Sequence, residues 1–275
     1  MKISSLCRAA WISAVAIAAS MAGSATAQLI RIKGSDTLGA KLVPLLADGY
    51  RAKNPGVEIE IAAEGSATAF QALIDGTADI GMSSRKPKAV ELAAAQAKGV
   101  TLSETVACQD MLVVVVNQSN KVKGLTKEQV MKIFTGAVKD WSEVGGSPGE
   151  IAIYTPNSAS GTYKDWQRMA MEGKDYAKQA RKIPASGQVG EEVARDVNGI
   201  GYVGPAYAKK PGIHSLAIDG VEPAMAKVKE YAYMRACYYY QREGGYQAAK
   251  DFVAYATGAE GRKIVEELGF APAEK

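Results

Sequence analysis

A chain of 275 residues with 47% hydrophobic and 23% charged positions is long enough to bury a sizeable core, in one domain or two. Its 33 basic and 29 acidic residues are interspersed and form no basic stripe, which argues against a nucleic-acid partner. A single histidine, His214, excludes a multi-histidine metal site and is the one imidazole that a Ser-His-Asp hydrolase would have to use.

The first segment reads as a leader. Lys2 and Arg8 precede an apolar run from Ala9 to Ala22, and Ala25-Thr26-Ala27 supplies small residues for cleavage before Gln28. The run is too short to span a bilayer comfortably, so residues 1–27 predict export rather than anchoring. No Leu-x-x-Cys pattern sits at the cleavage point, and Cys7 lies too early for lipid attachment there. The mature chain is expected to be soluble and periplasmic or otherwise extracytoplasmic. Losing Lys2 and Arg8 lowers the basic count from 33 to 31 against 29 acidic residues. Two cysteines remain, Cys108 and Cys237, and a disulfide or two buried thiols fit the sequence equally well.

Leu29 to Lys33 predicts a short strand, followed by Gly34-Ser35-Asp36-Thr37 and by Leu38, Leu42, Leu45, Leu46 and Tyr50 at helical spacing. Pro44 kinks or restarts that helix, and Asn54-Pro55-Gly56 stops it. Val57, Ile59 and Ile61 alternate with glutamates as a half-buried strand and lead into Gly65-Ser66-Ala67-Thr68. The next helix carries Phe70, Leu73 and Ile74, with Gly76 as its C-cap. Ala78 to Gly81 is a brief buried strand running into Ser83-Ser84-Arg85.

Met111 to Val116 is a continuous apolar strand, and Thr126 with Gln129 forms a capping box for a helix through Phe134. Ile151 to Tyr154 restarts a strand, and Ser160-Gly161-Thr162 precedes helical spacing at Tyr163, Trp166 and Met169. Gly199 to Gly204 is a buried strand bracketed by glycines, Tyr231 to Tyr240 a tyrosine-rich strand, and two helices split at Thr257-Gly258 close the chain. The tyrosines are explained by strand packing before any stacking role.

Four clusters of small hydroxyl residues thus stand where helices begin. A helix N-terminus presents unpaired N–H groups and a positive dipole end, and a nearby hydroxyl adds a further donor for an anion. Any one cluster is accounted for by capping, but four imply one shared anion site. In an open α/β sheet the ligand lies beyond the carboxyl ends of the strands, so the first three clusters fall on one rim if their strands are parallel neighbours. The fourth belongs to a second lobe, which would close a shared site around its ligand.

From Ile32 onward the chain resembles the substrate-binding proteins of phosphate ABC transporters, the PstS-like branch of the type II periplasmic binding proteins. The matching stretches are Gly34 to Leu38, Gly65-Ser66, Gly76 to Arg85, Leu125 to Gly146, Ser160-Gly161-Thr162, Ile200 to Gly204 and Gly258 to Pro272. Leu125 to Gly146 is the most specific of them, since no generic anion site demands it.

The resemblance implies an α/β fold of two lobes joined by two crossing strands that act as a hinge. Met111 to Asn117 would carry the chain out and Ile200 to Gly204 would return it. Lobe 1 would comprise 28–112 with 206–275, and lobe 2 would comprise 113–205. The contacts carried over by matching position are Thr37 and the Leu38 N–H, Ser66, Ser84, Ser160, Gly161 and Thr162, with Ser35 and Ser83 flanking them. The implied ligand is inorganic phosphate or a similar oxyanion, and the implied partner is an ABC permease. The chain is taken as a monomer, with no cofactor, metal or catalytic residue.

Two positions depart from the family. Well-known members have an arginine four residues before the Ser-Gly-Thr serine, where this chain has Pro156, and some have a carboxylate where it has Ser84. Arg85 is the candidate for the compensating charge, or else a surface arginine paired with an acid. Asp36 either accepts the proton of hydrogen phosphate, which would reject sulfate, or caps its helix, and capping is favoured. Three functions compete: phosphate capture for a permease; the same fold with another oxyanion or a sensing or surface role; and a phosphate-ester hydrolase using Ser160 or Thr162.

Overall fold

The computed structural model describes residues 28–224 and 227–273, so the expected leader lies outside the described residues. β1 (Gln28–Gly34) runs into α1 (Asp36–Gly39), and α2 (Leu42–Lys53) follows. Pro44 sits in the first turn of α2, where its missing N–H leaves no bond unmade, so the chain restarts as a second helix instead of kinking. β2 (Val57–Ala63), α3 (Ser66–Asp75) and β3 (Ile80–Ser83) come next. Both β2 and β3 lie parallel to β1, with Gly34 opposite Ala63 on one side and Met82 on the other. The three strands therefore end on one rim, as their loops require.

α4 (Ala89–Ala97) leads to β4 (Leu102–Met111), and after Leu112 the chain continues as β5 (Val113–Asn117). β6 (Gly124–Leu125) precedes α5 (Lys127–Thr135), whose N-terminus carries the Thr126/Gln129 capping box. Then follow β7 (Ala152–Pro156), α6 (Gly161–Ala170), β8 (Arg181–Ile183), α7 (Val189–Arg195), β9 (Gly199–Val203), α8 (Pro205–Ala208), β10 (Ile213–Ser215) and β11 (Ala217–Ile218). β12 (Met234–Arg242), α9 (Gln247–Thr257), α10 (Ala259–Glu267) and β13 (Ala271–Pro272) complete the described chain. Among the described residues no helix is long and apolar enough to cross a membrane.

Two sheets organise two lobes. The first has the order β13-β4-β12-β3-β1-β2 and the second β10-β5-β9-β7-β8, with β11 and β6 as a separate pair. Ile32, Leu46, Tyr239, Phe252 and Phe270 are buried in the core around the first sheet. Val114, Phe134, Trp166 and Tyr202 are buried around the second, where Trp166 stacks on Tyr202 at 4.1 Å. Burial of such large apolar surfaces is the main stabilising term in each lobe.

The return crossing differs from expectation, while the outward one falls within Met111 to Asn117. The outward one is at Leu112, between β4 in the first sheet and β5 in the second. The return is not at Ile200–Gly204, because β9 stays in the second sheet, antiparallel to β5, with Val113 opposite Val203. It comes at Tyr233, whose carbonyl accepts the Leu112 N–H at 2.9 Å. Nor does the chain rejoin the first sheet after residue 205. β10 pairs with β5, and Ile213, Leu216, Ile218, Tyr231 and Tyr233 are buried in the second core. The physical reason is that β5, wholly buried, needs a strand on each side to satisfy its backbone. The tyrosine-rich segment accordingly divides: Tyr231 and Tyr233 pack in the second core, whereas Tyr238, Tyr239 and Tyr240 pack with the first sheet.

Candidate functional site

Each hydroxyl cluster is the link between a strand and a helix. β1 delivers Ser35, Asp36 and Thr37 to the start of α1, where the Ser35 N–H donates to the Met82 carbonyl at 2.7 Å. β2 leads through Gly65 to Ser66, the first residue of α3, and β3 ends at Ser83 with Ser84 next. In the second lobe, β7 leads through a turn to Ser160, whose Oγ caps α6 by accepting the Thr162 N–H at 3.1 Å.

The four clusters meet. Thr37 and Thr162 share a hydrogen between their Oγ1 atoms at 2.8 Å, across 125 residues of sequence and from opposite lobes. Ser66 Oγ accepts the Ser84 N–H at 3.0 Å and lies 3.1 Å from Ser84 Oγ. Ser160 Oγ lies 3.3 Å from Ser186 Oγ. Gly161 is the point of closest approach, since a Cβ there would stand 2.3 Å from Ser66 Oγ and 2.5 Å from Ser84 Oγ. Gly65, at φ +104°, faces it from the first lobe, with the Ala159 carbonyl 3.0 Å from where its Cβ would be. Thr37, Ser66, Ser84, Ser160 and Thr162 are all buried. Leu38 buries its side chain in the first core and holds its backbone N–H in the opening turn of α1.

The charge at this site comes from a residue that sequence reasoning missed. Arg235, on β12, stands opposite Asp110 on β4. Its Nε and Nη2 donate to Asp110 Oδ2 at 3.0 and 2.8 Å, and Nη2 also donates to Thr162 Oγ1 at 2.8 Å and Thr37 Oγ1 at 3.4 Å. Asp165 Oδ2 lies 3.6 Å from Nη1, which has no hydrogen-bond partner. Burial disfavours the guanidinium's charge, but Asp110, with Asp165, outweighs it and raises the Arg235 pKa, so the group stays cationic. The only available signal was an arginine within an otherwise buried tyrosine-rich run, and it pointed to no partner.

The flanking residues divide. Arg85 does not reach the cluster: its Nη1 and Nη2 donate to the two carboxylate oxygens of Glu91 at 2.8 and 2.6 Å, so it is the paired arginine of the alternative reading, though buried instead of exposed. Ser83 Oγ donates to the Arg85 carbonyl at 2.7 Å and serves its own loop. Ser35 Oγ is buried without a partner. Asp36 is not the cap of α1, because that position falls on Ser35. Its Oδ2 instead accepts the Ser186 N–H from the other lobe at 2.7 Å, while Oδ1 is buried and unpartnered. Tyr207, beside Asp36 and Asp110, has its hydroxyl pKa pushed up to about 12 by burial and by those two carboxylates, so it remains a neutral phenol. Pro156 ends β7 opposite Ile183 and supplies no charge.

His214 lies on β10 with its Nε2 2.9 Å from the Val122 carbonyl, and among the described residues no three His, Cys, Asp or Glu side chains form a metal site. Cys108 and Cys237 face each other across β4 and β12 as buried free thiols, and hydrogen bonding to Cys237 together with burial pushes the Cys108 thiol well up. Neither is expected to react with a thiol reagent in the folded protein, and both are expected to react once it is unfolded. A titration with Ellman's reagent before and after denaturant checks this; no thiol released on unfolding would show that the two are bonded.

Two α/β lobes are connected by paired crossings, and buried donors from both meet at the strand ends, which defines a two-lobed fold with a site between its lobes. The chain belongs to the PBP superfamily domain family, whose model matches residues 19–260. It is 36% identical over 204 residues to the phosphate-binding protein PstS of Pseudomonas aeruginosa, covering 70% of this chain and 62% of that one. To PstS of Bacillus subtilis it is 28% identical over 249 residues, covering 88% and 80%. The chain thus spans 62% of the length of its Pseudomonas aeruginosa relatives. Among solved structures, a Clostridium perfringens protein described as a phosphate ABC transporter substrate-binding protein with bound phosphate superposes with a TM-score of 0.83 at 26% identity, covering 90% of this chain and 100% of that one. An ABC-type phosphate transport receptor from Vibrio cholerae gives 0.73 at 25% identity, covering 88% and 99%.

Proposed function

We propose that this chain captures inorganic phosphate between its lobes and delivers it to an ABC permease without turning it over. The observation that carries the reading is Arg235, a buried cation whose Nη2 touches one hydroxyl from each lobe. Micromolar binding needs roughly 8 kcal/mol, and each hydrogen bond to a charged group contributes about 1.5–3 kcal/mol. Five or six donors from Thr37, Ser66, Ser84, Ser160, Thr162 and Arg235 suffice. Because Asp110 already balances Arg235, the guest is held by donors more than by net charge, which suits a carrier that must release its cargo. Leu112 and Tyr233, which lie immediately before β5 and β12 and are bonded to each other through the Leu112 N–H, are the hinge about which the lobes open. Export by the predicted leader and the relatives named as phosphate-binding proteins support the same reading.

Isothermal titration with phosphate, sulfate, arsenate and molybdate tests it. Stoichiometric phosphate binding is expected; sulfate bound as tightly as phosphate, or turnover of p-nitrophenyl phosphate, overturns it. Thr37→Val, Ser66→Ala, Ser160→Ala and Thr162→Val are each expected to weaken phosphate binding by about 1–3 kcal/mol. Asp36 now reads as the proton acceptor, since its buried Oδ1 is free to take the hydrogen of hydrogen phosphate. Sulfate has no such hydrogen at neutral pH, so Asp36→Asn should narrow the gap between the two anions. An unchanged phosphate-to-sulfate ratio in that variant would return Asp36 to a purely structural role.

A further inference from the structure

A cavity of about 340 Å³ opens between the lobes on the far side of Arg235, lined by Arg85, Lys86 and Tyr238 from the first lobe and by Asp165 and Arg168 from α6 of the second. Two of its cations are buried guanidiniums with a nitrogen that has no hydrogen-bond partner, Nε of Arg85 and Nη1 of Arg235. The other two, Lys86 and Arg168, have side chains 66% and 68% exposed. The carboxylates are placed unevenly. Glu91 and Asp110 hold Arg85 and Arg235, and Glu104 holds Lys86 at 3.1 Å, but none of the three lines the cavity. Asp165 alone does, lying 3.2 Å from Arg168 Nη2 and 3.6 Å from Arg235 Nη1. Four cations and one carboxylate thus line the wall from its solvent edge to the guanidinium that touches Thr37 and Thr162.

We infer that this cavity is the entrance by which the oxyanion reaches its site, and that Lys86 and Arg168 at the rim draw it toward Arg235. The inference rests on the oxyanion reading above and adds a route to it. A cleft lined by one sign of charge concentrates ions of the other sign and raises their association rate, an effect that salt removes. Arg85, too well paired with Glu91 to bind the guest itself, has its place here as part of the cationic wall.

The test is the double variant Lys86→Gln/Arg168→Gln. Calorimetry gives the phosphate dissociation constant, and chase of radiolabelled phosphate by unlabelled phosphate with rapid filtration gives the release rate; their ratio gives the association rate. At low ionic strength association should slow about tenfold while release stays within about twofold, and the gap should close in high salt. A control pair, Lys127→Gln/Lys132→Gln in the first and last turns of α5, removes the same net charge away from the cavity and should leave association unchanged. Equal association rates in the variant and the intact protein, or a loss carried by release or matched by the control pair, overturn the entrance alone. An intact protein that binds no phosphate overturns the site and its entrance together.

Discussion

Arg235→Met is expected to weaken phosphate binding by about 3 kcal/mol or more, over a hundredfold in dissociation constant, because it removes the one cation that touches hydroxyls of both lobes. It also leaves Asp110, fully buried, without its partner. Breaking a buried ion pair from one side costs about 3–5 kcal/mol of stability. Burial already raises the Asp110 pKa in the intact protein, against the pull of Arg235, and without that pull it rises further. A carboxyl whose folded pKa lies above its unfolded value favours the fold below the unfolded pKa and loses that contribution as pH climbs through the folded one. The variant's deficit should therefore be smallest in acid and grow toward neutrality, as read by urea unfolding at several pH values. Asp110→Asn/Arg235→Met should recover most of the stability and none of the binding. Wild-type affinity in either variant would remove Arg235 from the site.

Gly161→Ala tests closure by a different route. The new methyl would lie 2.3 Å from Ser66 Oγ, 2.5 Å from Ser84 Oγ and 2.9 Å from Ser66 Cβ, and rotating a hydroxyl away relieves only the first two contacts. The clash is between lobes, so the cheap response is to hold them apart and not to disturb either core. Parting them separates Thr162 from Thr37 and takes the second lobe's donors away from the guest. At about 1.5–3 kcal/mol for each lost bond, affinity should fall more than a hundredfold, while unfolding free energy should change by less than about 1 kcal/mol, since alanine suits the first turn of a helix. Small-angle scattering should show the phosphate-induced compaction of the intact protein and none in the variant. Normal binding by Gly161→Ala would mean that the lobes do not need this approach.

The elements that sequence reasoning located are those whose signals are local. The Thr126/Gln129 box, the Gly76 cap, the alternation of Val57, Ile59 and Ile61, and the serine and threonine clusters at strand ends all operate within a few residues. Parallel pairing of β1 with β2 and β3 then brings Thr37, Ser66 and Ser84 to one rim with no further information. Asp36 was misread because capping is the ordinary use of an aspartate before a helix, and the Ser186 N–H that claims it lies 150 residues away. For Arg85 the sequence leaves two readings open, because its neighbours in sequence are hydroxyls while its partner Glu91 is presented by the next helix; the structure selects the paired one. The return crossing was placed too early because a glycine-bracketed apolar strand such as β9 reads the same whether it leaves a lobe or stays within it.

By itself the amino-acid order determined the strand–loop–helix units, the hydroxyls they carry and, through family resemblance, the two-lobed plan, because propensity, capping and glycine conformations act over short range. Tertiary structure alone decided where the positive charge comes from. Arg235 meets Asp110 only through the antiparallel register of β12 on β4, and meets Thr162 only because two sheets with separate cores stand against each other. The positions are 125 and 73 residues apart. Such pairings are set by which strands share a sheet and which lobes touch, an outcome of burying two whole cores that no single stretch of chain encodes.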